Sequence, residues 1–173
     1  ADDDEETRSL RRFVDTELVL TADHVYSALE DLSGEYWKSA LPQLLEDLQQ
    51  LLRDALDLLA ELGEADYHND HSHWDLPSIQ PHAQNRRFQD WASIVELLRD
   101  SWIELREIDQ SRAIRVAYTW FGFPYPTFKR LALFAASQSK VIQPADWVDW
   151  LISDNSWWLW ATDTGREVAR LLV

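Results

Sequence analysis

The sequence predicts an all-α fold of antiparallel helical hairpins, built as a HEAT-like helical-repeat bundle. Three observations carry that reading. The first is Leu41 to Leu62, where apolar residues fall at 41, 45, 48, 52, 55, 59 and 62, alternating steps of four and three. Leu44, Leu51 and Leu58 form a second row beside them, so the expectation is one wide stripe buried against other helices. The second is Phe88 to Ile108, where Phe88, Trp91, Val95, Leu98, Trp102 and Leu105 repeat the same spacing. Two such helices joined by one connection are candidates for antiparallel packing. The third is composition: four glycines and six prolines in 173 residues favour long helices over many short strands.

In chain order, residues 1–63 read as N-terminal helices ending in the long amphipathic one. The acidic start ADDDEE precedes Leu10, Phe13 and Val14, which suit a short helix. Thr21 or Asp23 can cap a helix through Leu32, with Val25, Leu29 and Leu32 inward. Pro42 either begins the regular helix or kinks a longer one. Gly63 is placed to end it.

Residues 64–87 form a long ordered loop in which Pro77 and Pro81 forbid a continuous helix. Trp74, Leu76 and Ile79 should pin it to the surface. A loop of this length is the first place to look for function.

Residues 88–173 read as a helical-repeat-like region, continuous with the rest in one domain. Ala113, Ile114, Ala117, Tyr118 and Phe121 suit a short helix stopped at 122–126. Pro126 opens the next, with Phe128, Leu131, Ala132 and Ala135 inward, and Pro144 opens another carrying Trp147, Trp150 and Leu151. Ser153-Asp154-Asn155 breaks that helix. Thr162 or Asp163 then caps a last one with Val168, Leu171 and Leu172 inward. The chain has no methionine and ends within a helical pattern, so a piece of a longer protein is expected.

Composition narrows function more than it names one. Net charge is −15, which argues against direct binding of nucleic-acid phosphates. It leaves open an acidic mimic of DNA. Lack of cysteine removes disulfides and thiolate chemistry, and fits a reducing, cytoplasmic setting. No apolar run reaches the length of a membrane span.

His68, Asp70, His71 and His73 fall within six residues and could ligate a transition metal. A surface loop does not preorganise such ligands, so no metal is expected, and no cofactor. Templates for catalysis are missing: no Gly-rich phosphate loop, no HExxH, no GxSxG. His82 and Asn85, in a proline-braced turn, suit side-chain hydrogen bonds that fix the turn, or a recognition loop. Of ten tryptophans, five lie between 147 and 160. Trp157 and Trp158 are adjacent, so one helix stripe cannot bury both. Trp74, His82, Asn85, Trp157, Trp158 and Trp160 are the interaction candidates.

Two stretches carry a resemblance. One is WDLPSIQPHAQN at 74–85, with Asp90-Trp91 and ELLRD at 96–100 after it. The other is PYPTFKRLALF at 124–134, followed by Trp-Leu-Trp at 158–160 and Arg166-Glu167. Together they resemble the helical regions of large multidomain bacterial anti-phage defence proteins that carry a sirtuin-like or nucleotide-hydrolysing effector elsewhere. The resemblance covers about 74–173 and implies a sensor or scaffold segment whose partners are proteins: other domains of the same polypeptide or a second copy. A free-standing acidic inhibitor or DNA mimic is the alternative, and an enzyme with an unrecognised site the third.

Overall fold

A computed structural model describes residues 34–82, 85, 90–138 and 142–173. Seven helices and no strand occur among them. The helix expected through Leu32, Phe88 and the side chain of Trp91 lie outside what is described.

Helix α1 runs Glu35–Glu61, with Pro42 inside its second turn. It therefore starts well before the regular apolar spacing. Its end closes as a Schellman motif. Gly63 takes φ 75°, its N–H reaches the Ala60 carbonyl at 3.0 Å, and the Glu64 N–H reaches that of Leu59 at 2.8 Å. Leu41, Leu45, Leu52 and Leu56 are buried. The second row departs from expectation: Leu51 is 44% and Leu58 46% exposed. The stripe is one row narrower on that side and turns toward Leu56 on the other, because α1 meets its neighbours along one face.

Helix α2 is a single turn, Ser72–Asp75, within the long loop, where the sequence reading had no helix. Helix α3, Asp90–Ile108, buries Val95, Leu98, Trp102 and Leu105 completely. Lys38, Ser39 and Pro42 at the start of α1 line a cleft with Glu104 and Ile108 at the end of α3, so the two helices run antiparallel. Helix α4, Gln110–Gly122, is capped by the Asp109 carboxylate, which accepts the Arg112 N–H at 2.8 Å. It buries Ala113, Ala117 and Trp120, while Tyr118 is exposed and Ile114 and Phe121 half-buried. The inner face is thus rotated from the one expected.

Helix α5, Pro126–Ser137, begins on proline and is buried from Pro126 through Ala136. It is inward on every side rather than along one stripe, the behaviour of a helix enclosed by others. It packs on α3, α4 and α7. Helix α6 spans Pro144–Trp160 but is interrupted: Asp154, Asn155 and Ser156 have φ of 51°, 55° and 65°. Helix α7 is Gly165–Leu171. Its start is preceded by Thr164, not capped by Thr162 or Asp163. The Thr164 hydroxyl donates backward to the Trp158 carbonyl at 2.6 Å. Val168 is buried, Leu171 half-buried and Leu172 exposed, one residue short of the expected inner face.

Adjacent leucines on α1 give a direct test of this packing. Leu52→Ala should cost about 2–5 kcal/mol in denaturant unfolding, since Leu52 is fully buried. Leu51→Ala should cost less than about 1 kcal/mol.

Candidate functional site

The loop from Ala65 to His82 is built by short polar side chains. The Asp66 carboxylate accepts the N–H groups of His68 and Asn69 at 2.7 and 2.8 Å. Asn69 Oδ1 accepts from the His71 N–H, and Asp70 Oδ1 from the Ser72 N–H. These successive side-chain turns stand in for a backbone ladder. They lead the chain through His71, at φ 57°, into α2.

Buried charges on α5 and α7 then hold the loop down. Arg130 is wholly buried. Its Nη1 donates to Ser72 Oγ at 3.0 Å, its Nη2 to the Leu76 carbonyl, and its Nε to Glu167 Oε2 at 3.4 Å. Glu167, also wholly buried, accepts the Ile79 N–H at 2.8 Å through its other oxygen. The Ile79 carbonyl accepts from Arg99 Nη1 at 3.0 Å. Asp70 Oδ2 accepts the Thr127 N–H at 2.6 Å, at the first turn of α5. Leu76 and Ile79 sit in the core as expected, whereas Trp74 is 69% exposed and pins nothing.

The histidine cluster does not converge. His68 Nε2 pairs with Asp154 Oδ2 at 2.8 Å, and His73 Nδ1 with Asp163 Oδ1 at 2.7 Å. His71 is exposed, and Asp70 is committed to backbone donors. Among the described residues no group of three or more His, Asp or Glu could hold a metal ion. Asn85 braces the turn by accepting the Ser78 N–H and donating to the Ser78 and Gln80 carbonyls. His82 is exposed and meets Arg166 Nη1 at 3.1 Å.

The adjacent tryptophans divide. Trp158 is fully buried, while Trp157 is 43% and Trp160 81% exposed. Neighbours on a helix point about 100° apart, and a left-handed run at 154–156 interrupts α6 just before the pair. Such a conformation costs an L-residue about 1–2 kcal/mol, least for Asp and Asn. Asp154 is tied to His68, whose ring lies 4.3 Å from that of Trp157. The exposed rings of Tyr67, Trp74, Trp157 and Trp160 thus fall on two segments joined by histidine–carboxylate ties.

Behind them lies Lys129. Its Nζ donates to the Phe121 carbonyl and stands 4.5, 5.3 and 5.5 Å from the ring centroids of Phe121, Tyr67 and Trp158. Burial pulls its ammonium down to about 8, with Asp154 opposing the shift. Tyr118, through its hydrogen bond to Asp146, and Tyr125, through burial and then Asp57, are both pushed up to about 12. None of these groups lines the open cleft between α1 and α3, so that cleft combines no shifted group with a pocket.

The sequence reading missed Lys129, Arg130 and Glu167 as the residues that position this surface. A signal existed: two adjacent cations inside the apolar run PTFKRLALFAA. No family model, curated protein or solved structure matches the chain.

Two tests follow from the buried charges. Glu167→Ala leaves Arg130 buried without its counter-charge and should cost about 3–5 kcal/mol in denaturant unfolding. The lysine has a pH signature. Its folded value of about 8 lies below the ordinary 10.5, so between them the unfolded chain binds more protons. Stability should therefore rise with pH across that window. Tyr118 and Tyr125, with raised values, act in the opposite sense above about 10. Chemical denaturation from about pH 7 to pH 10 should show the rise in the wild type and a flat profile in Lys129→Met.

Proposed function

We propose that this chain is a protein-interaction or scaffold segment of a larger bacterial protein acting in the cytoplasm in anti-phage defence, with the effector chemistry residing elsewhere. In this reading its helices form HEAT-like hairpins that present a fixed surface to a protein partner. The observation that carries it is the set of exposed aromatic rings on two tied segments, Tyr67 and Trp74 on the loop and Trp157 and Trp160 on α6. Trp157, Trp160 and Trp74 are open to solvent, yet Arg130, Glu167 and Asp70 anchor the loop that carries Trp74, and the His68–Asp154 pair ties that loop to the chain just before Trp157. Large exposed aromatic side chains on a rigid support are the usual anchors of protein interfaces.

The resemblance draws support from one further point. The two stretches that carry it meet: Ile79 bonds Glu167, His82 bonds Arg166, and Arg130 bonds the Leu76 carbonyl. They therefore behave as one structural unit. The aromatic surface itself lends less support to an acidic-inhibitor role, because the acids beside it, Asp70, Asp154, Asp163 and Glu167, are engaged within the chain.

A photo-crosslinking amino acid placed at 160, with a second at Glu46 as reference, tests the reading in cells. A discrete protein adduct specific to position 160, lost with Trp157→Ala, is the expected outcome. The same adducts from both positions, or none from 160, would remove the reading. Trp157→Ala and Trp160→Ala should each change unfolding stability by less than about 1 kcal/mol, which separates loss of binding from loss of fold.

A further inference from the structure

Helix α1 carries a second surface that the aromatic site does not use. Leu44, Leu51 and Leu58 recur every seventh residue, Leu51 and Leu58 about half exposed and Leu44 half-buried. Three residues beyond each stands an acid, Asp47, Asp54 and Glu61, all exposed. Residues three apart on a helix are neighbours, so the acids form a row alongside the leucines. The buried residues Leu45, Leu52 and Leu56 lie on the other side. The result is an apolar seam bounded by the core on one flank and by carboxylates on the other.

The seam is regular and long. From Leu44 to Leu58 it runs about 21 Å at 1.5 Å per residue. A heptad row of leucines is the pattern by which one helix receives another, and the charges beside the seam select the partner. Among the described residues, the ion pairs formed by α1 lie off the acidic row: Glu46 pairs with Arg112 and Asp57 with Arg53. Asp54 accepts only a neutral donor in the hydrogen bonds around it, the Gln50 amide at 2.7 Å, which leaves its charge in place.

We propose that this face of α1 docks an amphipathic helix of a partner protein, with an apolar seam flanked by Lys or Arg. Charge decides among occupants. A second copy of this chain would bring another acidic row to the same seam, and each chain carries a net charge of −15. Like charges across such a seam are destabilising, whereas basic residues would meet the Asp47, Asp54 and Glu61 row. The leucines supply burial and the acids supply orientation and discrimination.

The experiment uses the intact chain and two synthetic amphipathic helical peptides with the same leucine seam, one flanked by Lys and Arg and the other by Glu. Fluorescence anisotropy should show binding of the basic peptide, weakening as salt rises, and no binding of the acidic one. Leu51→Ser with Leu58→Ser, which removes the apolar contact without adding charge, should weaken the basic peptide at least about tenfold. Circular dichroism checks that the fold is kept, as both side chains are exposed. The combined Asp47→Asn, Asp54→Asn and Glu61→Gln variant keeps the leucines and should lose most of the salt dependence. Equal binding of both peptides, binding of neither, or unchanged binding in the leucine variant would each overturn the proposal. So would a dimer in sedimentation equilibrium that the leucine variant disperses, because it would assign the face to a second copy.

Discussion

A guanidinium that has left water must find a counter-charge and acceptors for its donors, and Arg130 meets that demand in two separate parts of the chain. Glu167 comes from α7, Ser72 and the Leu76 carbonyl from the loop. Glu167 in turn closes on the Ile79 N–H, and the Ile79 carbonyl closes on Arg99 of α3. A buried ion pair contributes little net stability against an apolar equivalent, but once present it tolerates few alternative arrangements. Its effect here is on placement. A stretch with two prolines and no regular ladder acquires one position relative to α3, α5 and α7.

That placement sets up the aromatic surface. With the loop fixed, His68 and His73 reach Asp154 and Asp163, and the left-handed run at 154–156 is held between the two halves of α6. Just after it, Trp158 faces inward and Trp157 outward. Lys129 lies beneath, its ammonium among the rings of Phe121, Tyr67 and Trp158 rather than in water. A charged residue and several aromatic ones that would each be awkward alone satisfy one another.

Helix α5 links this to the fold as a whole. It is enclosed on every side, and its two cations bond internally, whereas the buried Thr127 hydroxyl has no partner among the described residues. Arg130 and Lys129 face different neighbours, the loop with α7 in one case and the α4–α6 aromatics in the other. The central helix thus orients two elements through side chains that an apolar helix would not have offered. On α1 the exposed leucines have no such internal role, and the acidic row beside them sets the chemistry of that face.

Residue spacing by itself determined the helical class, the two long helices, the prolines that open α5 and α6, and the glycine that ends α1. These follow from backbone geometry and from which side chains share a face over a few turns, both local properties. It also determined that Trp157 and Trp158 must part, since neighbours on a helix point in different directions. Tertiary structure decided what local pattern leaves open. Whether Leu51 or Leu56 faces the core depends on where α3 lies against α1. Trp120 replaces Tyr118 inside for the same reason. The histidines of the loop separate because His68 pairs with Asp154 and His73 with Asp163, each some ninety residues away. The burial of Lys129, Arg130 and Glu167 depends on partners distant in sequence. A charged residue in an apolar run announces that it needs a partner, and only the packed chain determines which one it finds.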